Sequence, residues 1–222
     1  MAAPPGELLA VTLTWWLVSL SGVLMPGPIS AMAVSEGARR GAVAGPLITA
    51  GHAAAEVLMV VALAAGLSQV LRLPLVVGVI GVVGGIVLLW MGWGILRTAR
   101  AGQASEWSSG SRASGHTSRG LAWTGLLTTI SNPYWLLWWA TVGGAYLVAF
   151  SRFGVAAIVV MFLVGHLALD LGWTTFLALT VGAGRGRVPA RAYQVVLGVC
   201  GLFVMGMSGY FVYSGFGFLM QR

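Results

Sequence analysis

Six stretches of apolar residues, each long enough to cross a lipid bilayer, dominate this chain: Leu8 to about Gly37, Ala42 to Leu67, Pro74 to Leu96, Leu121 to Ala149, Gly154 to Val181, and Ala192 to Leu219. A hydrocarbon core about 30 Å thick takes ~20 such residues per helix. In lipid every backbone N–H and C=O must find its partner within the protein, so spans of this length are helices. Only 8% of the 222 residues are charged, against about 25% in a soluble domain, so no ordinary water-facing surface can be built. The expectation is an all-α integral membrane protein with six transmembrane helices.

The charges report orientation. All twelve basic residues are arginines, set against five acids, for a net charge of +7. In a soluble protein that balance would suggest nucleic acid as a partner. Here the arginines gather between the apolar stretches, where the excess of positive charge on cytoplasmic loops accounts for them without nucleic acid. The connections after the first, third and fifth stretches hold Arg39, Arg40, Arg97, Arg100, Arg112, Arg119, Arg185, Arg187 and Arg191, and the opposite side holds Arg72, Arg152 and Arg222. Nine against three places the odd connections in the cytoplasm of a cytoplasmic-membrane protein and both termini outside. Ala31-Met32-Ala33 resembles a signal-peptidase site, but no basic residue precedes Arg39, Glu7 stands where positive charge belongs, and the run is long for a signal peptide. The first stretch is therefore expected to stay as a span. Cys200, the one cysteine, lies in an apolar stretch and forms no internal disulfide.

Thr98 to Arg119 is unlike the rest, with its Ser108-Ser109-Gly110-Ser111 run and no periodicity, and reads as a flexible linker. It separates residues 1–97 from residues 120–222, each a unit of three spans around a cytoplasmic linker at 98–119. The two units echo one another. Pro26-Gly27-Pro28 breaks the first span and Asn132-Pro133 the fourth. Gly51-His52-x-x-x-Glu56 lies in the second span and Gly165-His166-x-x-x-Asp170 in the fifth. An odd number of spans per unit turns the second upside down relative to the first, which is the inverted-repeat plan of many secondary transporters. Coincidence between two short patterns is the bland alternative.

The breaks carry chemistry. Proline has no N–H to donate, so Pro26, Pro28 and Pro133 deprive the carbonyls of Gly22, Leu24 and Thr129 of their helical partners. Each break also opens a new helix N-terminus whose free N–H groups attract anions such as a carboxylate. Nearby hydroxyls (Ser19, Ser21 and Ser30; Thr128, Thr129 and Ser131) complete such a site or simply satisfy the backbone, and a plain proline kink is the structural reading. His52 and Glu56, like His166 and Asp170, are four residues apart and share a helix face. Ionisable groups inside a span are expensive and usually mark solute or proton routes, so these four are the leading candidates for substrate binding or proton coupling. A structural role, with each pair pinning two helices together, is the competing account. Tyr134, Trp135, Trp138 and Trp139 follow the second break, and Trp173 follows Asp170. They read either as an interfacial belt or as an aromatic wall beside a cationic or apolar substrate.

With Pro26-Gly27-Pro28, Arg39-Arg40-Gly41 followed by Gly45 and Gly51, the segment Gly85 to Trp93 closing the third span, and Asn132-Pro133, the chain resembles the lysine exporter (LysE/RhtB-type) family of amino-acid effluxers. The motifs cover residues 20 to 140; the remainder agrees in hydropathy and order of spans. The resemblance implies a six-helix exporter of amino acids or related solutes driven by the proton gradient. The chain departs from it at Tyr134, where the family often carries a lysine, which counts against a basic amino acid as substrate. The histidine-acid pairs look like a feature of a subgroup.

Other classes fit less well. A divalent metal-ion carrier of related architecture is the alternative, since two histidines and two carboxylates suit a borderline ion, although no His-rich loop or cysteine accompanies them and no metal ligand is assigned on sequence alone. No His-Glu-x-x-His motif or serine-histidine dyad marks an intramembrane enzyme. A purely structural membrane protein has no need of paired buried acids. The expected partners are a small-molecule substrate and membrane lipid, with a homo-oligomer allowed, and no cofactor is expected.

Overall fold

The computed structural model describes residues 5–71, 73–100, 117–184 and 190–220. Among these the chain is helical throughout. Five helices are long and apolar enough to cross a membrane: Gly6–Val23, Pro28–Ala64, Pro74–Arg100, Val155–Ala183 and Gln194–Met220. The chain is thus a multi-pass membrane protein. Most of the linker expected at 98–119 lies outside the described residues, as do Arg72, Arg112, Arg185, Arg187 and Arg222.

The first expected span is two helices, α1 (Pro5–Val23) and α2 (Pro28–Arg40). At the junction Pro26 withholds its N–H, and the backbone tightens instead. The Gly22 carbonyl accepts from the N–H of Met25, three residues on. Gly27 is extended (φ −135°), and Pro28 fits the first position of α2 because it has no donor to lose there. Gly41, at φ 71°, turns the chain from α2 through a single 3₁₀ turn into α3 (Ala44–Ala64); a side chain would strain this conformation. The short α4 (Leu67–Leu71) precedes α5 (Pro74–Arg100).

The fourth expected span is broken more deeply than a kink. Helix α6 (Ser118–Ile130) starts at Thr117, whose hydroxyl accepts from Gly120 N–H, and stops before Asn132. Helix α7 (Pro133–Trp138) starts with the Asn132 side chain accepting from Tyr134 N–H. A π-helical turn over Trp139–Gly143 joins it to α8 (Gly144–Ser151). After Gly154 come the single turn α9 (Val155–Ala157) and a second π-helical segment, Ile158–Val164. It runs on into α10 (Gly165–Ala183), and α11 (Ala190–Met220) closes the described fold.

Glycines set the packing. Helix α5 lies along α11 with Gly78, Gly81 and Gly85 against Gly215, Phe211 and Ser208, and the Ser208 hydroxyl donates to the Gly85 carbonyl at 2.8 Å. Helix α3 meets α6 where Gly51 faces the Ala122 carbonyl and Gly125 faces that of Ile48. Small residues that let backbones approach are the usual means of association in lipid, where tails are as apolar as leucine. The end of α2 packs against the end of α10 through Gly37 and Ala178, while at the opposite end of the bundle Glu7 pairs with Arg152.

Candidate functional site

The i, i+4 spacing of His52 and Glu56 on α3, and of His166 and Asp170 on α10, turns both pairs to the helix faces that meet. All four are buried. His52 Nε2 is 3.1 Å from Glu56 Oε1 and 3.7 Å from Asp170 Oδ1. His166 Nε2 is 3.1 Å from the same Glu56 oxygen and 3.5 Å from Asp170 Oδ2. The two pairs are therefore one cluster. A threonine pair stitches the same helices a short way along: the Thr174 hydroxyl donates to the Asp170 carbonyl, which leaves it to accept from Thr49 at 2.7 Å.

Helix α6 fixes the orientation of one imidazole. The Thr129 hydroxyl donates its only proton to the Gly125 carbonyl at 2.8 Å, so its contact with His52 Nδ1, also 2.8 Å, is one in which the ring N–H donates. Trp139 adds an indole N–H to Glu56 Oε1 at 3.3 Å. Glu56 Oε2, Asp170 Oδ2 and His166 Nδ1 are buried without a hydrogen-bond partner, which is unusual for buried polar atoms.

The cluster opens on a cavity of about 110 Å³, large enough for several waters or a small solute. Gly27, Pro28, Asn132, Tyr134 and Trp135 line it together with His52, Glu56, His166 and Asp170. Of the residues put forward from the sequence for substrate binding or proton coupling, Pro26 and Pro133 are not at its wall, and of the hydroxyls near the breaks only Ser30 is. Pro133 is buried against Gly84 of α5, and its neighbours on either side reach the cavity instead. Both breaks thus border one cavity. At the α2 break, Ala31 N–H is the first to find a helical acceptor, the Gly27 carbonyl, and the Ser30 hydroxyl turns back to the Met25 carbonyl at 3.2 Å.

Trp135 and Trp139 are buried and line the cavity with Trp138 and Trp173, so they face the protein interior. Trp138 stacks on the His166 ring with centroids 5.4 Å apart, and Trp15 lies 5.2 Å from the same ring. Trp15 was not expected from the sequence. It is fully buried and donates its indole N–H to the Phe162 carbonyl at 3.0 Å, while Trp16 donates to that of Met161 at 3.1 Å. Both acceptors lie in the π-helical segment, where the widened turn leaves carbonyls off the regular ladder. Thr129 was legible only as a hydroxyl near a break.

A second, separate cavity lies on the other side of Pro28, between α2, α5 and α11, with Met32, Ser35, Thr98 and Leu197 in its wall.

The family model of the LysE type translocator matches residues 20–215 of the chain. No curated protein and no solved structure matches it.

Proposed function

From the premise that the chain belongs to the LysE type translocator family, we propose that it is a secondary transporter, not an enzyme, that exports amino acids or related small polar solutes across the cytoplasmic membrane. One observation carries this reading. A histidine and an acid from residues 1–97 and a histidine and an acid from residues 120–222 converge within 3.1–3.7 Å at a cavity bordered by both broken helices.

In this reading the protein crosses the membrane six times as two inverted three-helix units. The broken pairs α1–α2 and α6–α8 each count as one crossing. Two contacts support it: the end of α2 meets the end of α10, and Glu7 at the start of α1 pairs with Arg152 just after α8. Alternating crossings bring together those ends. The solute sits in the cavity, with its charged group toward the His52, Glu56, His166 and Asp170 cluster and its apolar part against Tyr134, Trp135 and Trp138. An α-carboxylate suits the free N–H groups at the start of α2. The proton gradient, which the family resemblance implies, supplies the driving force.

The test is counterflow and uptake in proteoliposomes against a panel of amino acids, with and without an imposed pH gradient. At least one solute should accumulate by counterflow, respond to the gradient, and lose most of its flux in Glu56→Gln and Asp170→Asn. Counterflow of no solute in the panel, by protein shown to be folded, would overturn the reading.

A further inference from the structure

We propose that His52, Glu56 and Asp170 form a binding site, within the membrane, for a borderline divalent cation of the Zn²⁺ and Co²⁺ class. The inference rests on the site assignment above and is independent of which solute crosses.

Spacing is the first argument. One ligand atom from each of the three residues lies within 4.8 Å of the others, and His52 Nε2 stands 3.1 Å from Glu56 Oε1 and 3.7 Å from Asp170 Oδ1. Ligand atoms bound tetrahedrally at zinc distances are roughly 3.4 Å apart, so the two edges from His52 bracket the one that such an ion imposes, and the Glu56–Asp170 edge lies within 4.8 Å. His166 Nε2, 3.1 Å from Glu56 and 3.5 Å from Asp170, is the next donor at hand. Three protein ligands with a further position open is the arrangement of zinc sites that keep a place for water or a substrate on the ion.

Lone pairs are the second. Thr129 takes the proton-bearing Nδ1 of His52, so the neutral ring turns the bare lone pair of Nε2 toward a carboxylate oxygen. With the ring neutral, that lone pair and the Glu56 oxygen stand 3.1 Å apart, a place that a cation or a proton fills. Glu56 Oε2 and Asp170 Oδ2 are buried and accept no hydrogen bond, and their residues are only 0% and 7% exposed. Two carboxylates and neutral imidazoles carry the charge that one divalent ion balances. The donor set selects the ion: imidazole nitrogen with carboxylate oxygen and no thiolate suits Zn²⁺ and its neighbours. The Thr129 and Trp139 contacts are the outer hydrogen bonds that orient metal ligands.

The experiment is equilibrium dialysis of tag-free, detergent-purified protein against Zn²⁺ alone, with Co²⁺ substitution read by visible absorption. One Zn²⁺ per chain is expected, together with d–d bands of a low-symmetry nitrogen-and-oxygen site. His52→Asn or Asp170→Asn should weaken binding at least tenfold. Thr129→Val, which keeps every ligand, should weaken it about tenfold, as loss of an orienting partner does. If a variant misfolds, the Co²⁺ spectrum of the unaltered protein and its thermal shift with Zn²⁺ still decide. A featureless octahedral spectrum, binding equal in all variants, or no binding at millimolar Zn²⁺ would overturn the proposal and leave a proton as the ion between these groups. Solute counterflow, run on chelator-treated and Zn²⁺-loaded samples of the same batch, keeps the two readings apart: flux without metal binding sinks only this inference, and metal binding without flux of any solute sinks only the exporter.

Discussion

Trp15 contributes a single indole N–H, yet it joins α1 to a carbonyl 147 positions away, that of Phe162. Trp15→Phe keeps an aromatic ring beside His166 and strands that carbonyl in a buried place. The expected cost is about 1–2 kcal/mol, seen as a lower unfolding midpoint in detergent. Trp16→Phe, at a residue 37% exposed, should cost less; equal midpoints for wild type and Trp15→Phe would refute the role assigned to this bond. The same contrast explains what could be read from the chain unaided. His52 with Glu56, and His166 with Asp170, are visible as pairs because each lies on one turn of one helix and stands out from apolar surroundings. Their merger into a single cluster is a tertiary event. So are the Thr129 bond to His52 and the Trp139 bond to Glu56, across 77 and 83 positions, since a threonine or tryptophan in an apolar run looks like any other.

At the level of elements, prolines announce themselves and π-helical turns do not. Pro26-Gly27-Pro28 and Asn132-Pro133 break their helices where the missing N–H requires it. The widened turns over Trp139–Gly143 and Ile158–Val164 hold no proline themselves, so hydropathy gives no sign of them. The glycines within the spans suit close helix packing in lipid, but nothing in the chain says which helices they join. That pairing is testable. A side chain at Gly51 would run into the Ala122 backbone of α6, whereas Gly206 has nothing within 4 Å of where a Cβ would be. Gly51→Val should therefore destabilise by about 1–3 kcal/mol or more, the range for overpacking, while Gly206→Val stays near wild type. Chromatographic profile and thermal midpoint in detergent report both, and a well-behaved Gly51→Val protein would contradict the α3–α6 contact.

For the whole molecule, motifs pointed to relatives over residues 20 to 140, and the family match extends to residue 215. Apart from His166, Asp170 and Trp173 the rest carries few marked residues, because most of its work is helix packing, which many apolar sequences perform equally well. The orientation we propose from the arginine count can be checked with little background, since the native Cys200 is buried. Cysteines placed at Ser109 and Ser151 should label differently in intact cells: Ser151→Cys from outside, Ser109→Cys only after permeabilisation. The reverse pattern would turn the protein over. Beneath the duplication we propose lies one atom without a counterpart, Glu56 Oε1, which meets an imidazole from each half and the Trp139 indole as well. Two copies of a pattern have thus produced a single composite centre rather than a matched pair, and neither half, made alone, holds more than a fragment of it.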